Sequence, residues 1–66
     1  MKYENLRKLI RKKLQSESNL AKLLGISKAS LSLKLNEKRS FLTDEIPLIC
    51  KILKIKDKDI ALYFFS

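Results

Sequence analysis

Apolar residues recur three or four positions apart along residues 2–14, and basic residues fill most of the positions between them. This spacing places the apolar side chains on one face of an α-helix and leaves the basic ones on the other sides. The pattern therefore predicts an amphipathic first helix over these residues. Its apolar positions are Tyr3, Leu6, Leu9, Ile10 and Leu14.

Two shorter helical patterns follow, and the chain's one glycine, Gly25, lies between them. Ser16 and Ser27 are natural N-caps, because a serine hydroxyl accepts a hydrogen bond from an unpaired N–H of the first helical turn. Gly25 adopts without strain the left-handed backbone that a sharp turn needs. Residues 16–36 thus predict a helix-turn-helix. The residues expected to pack across its turn are Leu20, Ala21, Leu24, Ile26, Leu31 and Leu35.

The C-terminal half predicts two more helices. Thr43 can cap the fourth helix, with Asp44 and Glu45 in a first turn where negative charge favours the positive end of the helix dipole. Pro47 is tolerated only that close to a helix start. A short fifth helix is expected over about residues 57–63, and no strand is predicted.

Sixty-six residues suffice for one small domain, residues 1–66, which we expect to be a compact all-α bundle of five helices. The single cysteine, Cys50, lies in an apolar run that favours a buried side chain over a reactive thiol. Without histidine a zinc site has almost no ligands, so neither a metal nor a cofactor is expected. The lack of a nucleophile with a base argues against an enzyme. No signal peptide or membrane-length stretch is evident, and the reducing cytoplasm is the expected location.

The net charge of +8 is concentrated in one part of the chain. Residues 1–39 carry 11 Lys and Arg against three acidic residues, whereas residues 40–66 carry four of each sign. The excess positive charge therefore coincides with the predicted helix-turn-helix, as binding to a polyanion requires. A basic surface that serves only solubility is the alternative.

In a helix-turn-helix, the second helix presents its N-terminal half to the major groove of DNA. Here Ser30 and Ser32 can hydrogen-bond to base edges or phosphates, or they can simply solubilise an exposed face. Ala29 and Leu33 can touch thymine methyl groups, and Lys28 can reach a phosphate or a guanine. Two further cations in the polar loop after the helix are candidates for phosphate contacts. The full set of candidate DNA-binding residues is Ser18, Lys28, Ala29, Ser30, Ser32, Leu33, Lys38 and Arg39.

The fourth helix is apolar on more than one side, which so small a domain cannot bury completely. Aromatic residues follow at the end of the chain, and we expect Tyr63 and one phenylalanine in the core with the other phenylalanine at an interface. The candidate protein-interface residues are Leu48, Ile52, Phe64 and Phe65. Short recognition side chains give modest specificity from one copy, so a homodimer on paired half-sites is also expected.

Over nearly its whole length the chain resembles the small Cro/repressor-type helix-turn-helix regulators of temperate phages. Within that family it is most similar to the short Cro-like and modulator-of-repression proteins. The resemblance rests most specifically on Leu24-Gly-Ile-Ser27 and Ser30-Leu-Ser-Leu-Lys-Leu-Asn36. It implies a five-helix, lambda-repressor-like domain that acts on operator DNA, often as a dimer, to set the choice between lysogeny and lytic growth.

Two positions depart from the pattern of that family. Glu17 stands where many members have a glutamine whose amide meets a phosphate, and a carboxylate there suits its own helix but repels DNA. Glu37 replaces the glycine that commonly follows Asn36. These changes either serve helix stability alone or indicate that DNA binding is weakened in a protein whose main target is another protein.

Two functions therefore stay open at this point. The first is a Cro-like transcriptional regulator whose partner is double-stranded operator DNA. The second is an antirepressor of the same fold that binds and inactivates a phage repressor protein, which Glu17, Leu33 and the apolar fourth helix would suit. Both functions place the protein in a bacterial host at the nucleoid, away from any membrane.

Overall fold

The computed structural model describes residues 2–65, so Met1 and Ser66, the ends of the predicted domain, lie outside the described residues. Within residues 2–65 the chain forms five α-helices and one short 3-10 helix, without a strand. The predicted all-α class with five helices is confirmed. The elements are α1 (Glu4–Leu14), α2 (Glu17–Leu24), α3 (Lys28–Leu35), α4 (Glu45–Leu53), the 3-10 helix (Asp57–Asp59) and α5 (Ile60–Phe64).

The predicted caps of α2 and α3 are confirmed. The Ser16 hydroxyl accepts a hydrogen bond from the Asn19 N–H at 3.3 Å, and the Ser27 hydroxyl accepts one from the Ser30 N–H at 3.0 Å. Gly25 closes α2 with a φ of 73°, in the left-handed region where an L side chain is strained. The helix-turn-helix is therefore built by the residues that predicted it.

The predicted cap of α4 is wrong. The helix begins at Glu45, and Asp44 rather than Thr43 precedes it, without a side-chain cap hydrogen bond. The Glu45 carboxylate itself reaches back and accepts a hydrogen bond from the Leu42 N–H at 2.7 Å. This bond fixes the end of the loop between α3 and α4.

Within residues 2–65, three residues other than glycine adopt left-handed backbone conformations, namely Gln15, Glu37 and Lys54, with φ of 72°, 63° and 58°. Glu37 is the position where the resemblance expects glycine. The turn after α3 thus keeps a glycine-like conformation with a residue that pays about 1–2 kcal/mol for it.

The core is formed by apolar side chains from all five α-helices. A T-shaped aromatic trio extends it: the ring centroids of Tyr3 and Phe41 are 5.3 Å apart, and those of Phe41 and Phe64 are 5.9 Å apart. Phe41 thereby attaches the loop after α3 to the core. The fully buried large residues are Leu6, Ile10, Leu20, Leu31, Leu35, Ile49, Leu53 and Phe64.

Cys50 is buried on α4, as its apolar surroundings predict. Burial, together with the nearby charge of Asp57, raises the pKa of its thiol, so the thiolate is disfavoured. Within residues 2–65 no helix has the length and apolar character needed to cross a membrane.

Candidate nucleic-acid interface

The exposed face of α3 carries most of the predicted DNA contacts. Lys28 and Ala29 are exposed in the first turn, and Leu33 is 36% exposed one turn further on. Ser30 and Ser32 are partly buried between them. The structure therefore brings these five predicted residues together on one helix, with short side chains in the middle.

Ser30 belongs to the cap of α3. The Ser27 hydroxyl donates a hydrogen bond to Ser30 Oγ at 3.1 Å, while Ser27 Oγ accepts the Ser30 N–H. The two hydroxyls thus have defined roles within the helix start. Ser18, the predicted contact on α2, lies partly buried in the first turn of that helix, next to Glu17.

Ser32 belongs to a polar chain that crosses three helices. Asn36 Nδ2 donates a hydrogen bond to Ser32 Oγ at 3.3 Å, and Arg7 Nη2 donates one to Asn36 Oδ1 at 2.6 Å. Arg7 Nη1 in turn lies 2.9 Å from Glu17 Oε2, with both side chains mostly buried. We call Glu17, Arg7, Asn36 and Ser32 the polar chain. It joins the start of α2 to α1 and to the exposed face of α3.

Glu17 is therefore not an isolated negative charge. Its carboxylate is paired with the Arg7 guanidinium, which offsets the repulsion of a phosphate predicted from the sequence. Neither Arg7 nor Asn36 was singled out as a functional residue by the sequence. Their partners lie 10 and 29 residues away, so no local periodicity reports the contacts.

Lys34 is removed from the basic surface. Its Nζ lies 2.6 Å from Glu45 Oε1 and 2.5 Å from Glu45 Oε2, and the two side chains are only 8% and 11% exposed. Burial by itself raises the pKa of Glu45, but hydrogen bonds from Lys34 and Leu42 and the charge of Lys34 outweigh it and lower the pKa. The Glu45 carboxylate therefore stays ionised at neutral pH, and its bonds to Lys34 join α3 to α4.

Lys38 and Arg39 lie exposed in the loop after α3, which we call the basic loop (residues 36–44). Their backbone N–H groups donate to the Leu33 carbonyl, at 2.8 Å and 3.3 Å. The backbone of the basic loop at Lys38 and Arg39 is thus attached to the last turns of α3.

The other basic side chains are of two kinds: one is bound to a backbone carbonyl of the core, and the rest lie on the surface. The ammonium group of Lys13 lies 2.5 Å from the Leu53 carbonyl oxygen at the end of α4, so this residue caps a helix of the core. Lys12 and Lys22 are exposed. Arg11 and Lys28 line a shallow groove of about 380 Å³ beside the start of α2. This groove extends the positive surface from α3 toward α1.

The predicted protein interface is only partly on the surface. Phe65 is 68% exposed and Leu48 is 40% exposed, whereas Ile52 is half-buried against the core. The assignment of Phe64 to the interface is wrong, because this ring is 1% exposed and forms the aromatic trio. Phe64 is thus the phenylalanine in the core, where Tyr63 packs beside it, and Phe65 is the outer one.

The fold and this surface define a small all-α protein with a helix-turn-helix and a basic face. The chain belongs to the family described as "Protein of unknown function (DUF739)", whose model matches residues 1–66. No curated protein matches the chain. Within residues 2–65 no group of three or more His, Cys, Asp or Glu side chains is placed to hold a metal ion.

Proposed function

We propose that this protein is a Cro-like transcriptional regulator that binds double-stranded operator DNA with α3 and the basic loop. The observation that carries the proposal is the short, exposed face of α3 with cations on two sides. Lys28 and Arg11 lie at one end, and Lys38 and Arg39 lie at the other. Cations on both sides of a helix are suited to contact the phosphates that flank a major groove.

The dimensions of α3 agree with this role. An α-helix with its side chains is about 10–12 Å in diameter, which fits the major groove of about 12 Å, and the eight residues of α3 give it a length of about 12 Å. The small side chains of Ala29, Ser30 and Ser32 allow the helix backbone to approach the base edges closely. Leu33 offers an apolar contact to a thymine methyl group.

The charge distribution supports the same proposal. The neutral half of the chain builds α4 and α5, while the basic half builds the helix-turn-helix and the helix packed on it. The resemblance to phage regulators implies that the target is an operator and that the protein binds it as a dimer. We propose that this dimer occupies two half-sites about one helical turn apart. A regulator of this kind acts in the cytoplasm of a bacterial host and would take part in the switch between lysogeny and lytic growth.

An antirepressor that binds a phage repressor protein is the second candidate. It is supported by exposed apolar side chains that DNA binding does not need, above all Leu48 and Phe65. The ion pair between Arg7 and Glu17 weakens the other argument for it, because the carboxylate no longer stands alone before a phosphate.

A gel-shift titration on the intergenic DNA beside the gene, with and without the neighbouring repressor, tests both candidates. A regulator is expected to shift this DNA alone, with an affinity that falls steeply as salt rises because several phosphates are contacted. An antirepressor is expected to leave the DNA unshifted and to release a shift made by the repressor. Scrambled DNA of the same length is the control, and equal binding to both duplexes at all salt concentrations would contradict an operator-specific regulator.

A further inference from the structure

The polar chain has a direction that follows from the chemistry of its members. An arginine guanidinium has only donors, so the Asn36 atom that faces Arg7 at 2.6 Å is the carbonyl oxygen Oδ1. The Nδ2 group of Asn36 is then the atom that faces Ser32, and it has only donors as well. Ser32 Oγ is therefore the acceptor of this bond. The pairing of Arg7 with Glu17 keeps the guanidinium in place.

A hydroxyl that accepts from one side keeps its own proton for another partner. Within residues 2–65 the Ser32 hydroxyl accepts from Asn36 and donates to no side chain, and Ser32 is partly exposed on the recognition face of α3. The proton is thus available to a ligand that lies against α3. Asn36 Nδ2 occupies one of the two lone pairs of the hydroxyl and thereby sets its orientation.

We propose that Ser32 reads a hydrogen-bond acceptor on a base edge, with Arg7 and Asn36 as the positioning residues that set its polarity. This inference rests on the proposed function and names what one residue of the site selects. In the major groove the acceptors are guanine N7 and O6, adenine N7 and thymine O4. The amino group of cytosine is itself a donor, so it is disfavoured opposite a hydroxyl that presents its proton.

The test is a selection of binding sites from a randomised duplex library with the parent and the Asn36→Asp variant. Aspartate keeps an oxygen toward Arg7 but turns a second acceptor toward Ser32. The Ser32 proton then points inward, and its lone pairs face the DNA. We expect the parent to select guanine or thymine at one position and Asn36→Asp to select cytosine, or the amino group of adenine, at that position. The switch is expected to be about two- to ten-fold, the worth of one net hydrogen bond.

Three variants separate this polarity effect from the added charge. Ser32→Ala is expected to lose the preference at that position, and Ser32→Ala combined with Asn36→Asp is expected to show no switch. Asn36→Ala leaves the hydroxyl free to rotate, so it should accept both classes of base at that position. Ser30 is the internal control: its hydroxyl accepts from Ser27 and not from Asn36, so any base preference due to Ser30 should be the same in the parent and in Asn36→Asp. Circular dichroism confirms that each variant is helical.

The outcomes distinguish the inference from the proposed function. A parent protein that selects no sequence overturns both. Sequence selection by the parent with the same base preferences in Asn36→Asp overturns the inference alone. A switch that persists in the double variant also overturns it, because the introduced aspartate rather than Ser32 would then read the base.

Discussion

Lys34 of α3 and Glu45 of α4 form an ion pair in which both carboxylate oxygens lie within 2.6 Å of the lysine Nζ, and both side chains are almost fully buried. Glu45 also accepts the Leu42 N–H, so one carboxylate holds α3, the end of the basic loop and the start of α4. Removal of either partner leaves a buried charge without compensation, which is costly.

Lys34→Ala is therefore expected to lower the free energy of unfolding by about 3–5 kcal/mol, because Glu45 is left buried and unpaired. Urea titration followed by circular dichroism measures the change. Lys38→Ala, on the exposed basic loop, is the matched control and should stay within about 0.5 kcal/mol of the parent. Lys34→Met combined with Glu45→Gln should recover most of the loss, since the Gln amide oxygen still accepts from Leu42. Equal stability of the two single variants would show that the buried pair contributes nothing.

The lowered pKa of Glu45 predicts acid sensitivity with a definite sign. The unfolded chain binds a proton at Glu45 near the ordinary pKa of 4.5, whereas the folded protein resists protonation to lower pH. The contribution to stability is thus complete above about pH 4.5 and is lost as the pH falls through the folded value. Unfolding free energies at pH 7, 4.5 and 3 should fall less steeply for Glu45→Gln than for the parent. An equal decrease of the unfolding free energy with pH in the parent and in Glu45→Gln would refute the assignment of this acid sensitivity to Glu45.

Substitutions on the recognition face should separate base reading from phosphate contact. Ser32→Ala is expected to relax the preference at one base pair by about 1 kcal/mol. Lys28→Ala and Arg39→Ala should weaken binding to every sequence and reduce the slope of affinity against salt. Lys58→Ala, in the neutral half, is the control. Fluorescence anisotropy on operator and scrambled duplexes at three salt concentrations measures both effects, and parental behaviour of all three variants would contradict docking through α3.

Glu17→Gln tests what the carboxylate at the start of α2 does. The amide can still accept from Arg7 and can also donate to a phosphate, so DNA affinity should rise by about 1 kcal/mol. Loss of the partly exposed ion pair with Arg7 should cost no more than about 1 kcal/mol of stability. Anisotropy and urea titration on the same preparation measure the two quantities. Weaker DNA binding by the glutamine variant would mean that the ion pair is needed to hold the polar chain in place.

Leu48 and Ile52 differ in burial, so the same substitution should have different results at the two positions. Leu48→Glu leaves its charge in water and should give a folded protein that has lost any dimer or partner contact through this face. Ile52→Glu pushes a carboxylate against the core and should lower stability by about 1–3 kcal/mol as well. Sedimentation measures the oligomeric state of both variants, and circular dichroism measures their stability. A dimer that survives Leu48→Glu would exclude Leu48 from the interface.

The helices could be predicted almost to the residue because their signals are local. The 3.6-residue period, the serine caps at Ser16 and Ser27 and the glycine between them all act within one or two turns. The start of α4 differs by one residue from the prediction, because the helix begins at Glu45 without the expected Thr43 cap and the Glu45 carboxylate bonds back to the Leu42 N–H instead. The burial of Lys34 could also have been predicted from the sequence. Lys34 lies three residues after Leu31, which places it on the buried side of α3.

The site could be predicted only as a set of residues, not as an arrangement. Which serine accepts from which donor depends on Arg7 and Asn36, which are 29 residues apart in the chain. The choice between Phe64 and Phe65 for the core likewise depends on the position of Phe41, far from both in sequence. Contacts of this range leave no periodic trace.

The attachment of the basic loop has a consequence for how affinity and stability are related. Phe41 lies in the aromatic trio and Leu42 is bonded to Glu45, so the loop loses its conformational freedom when the protein folds. A polyanion that meets Lys38 and Arg39 then has little left to order, and the entropic cost of binding is reduced in advance. The same coupling has a disadvantage. Mutations that loosen Tyr3 or Phe64, which are not candidate DNA contacts, should weaken binding without removing a single contact, because the entropic cost of ordering the loop then falls on the binding step.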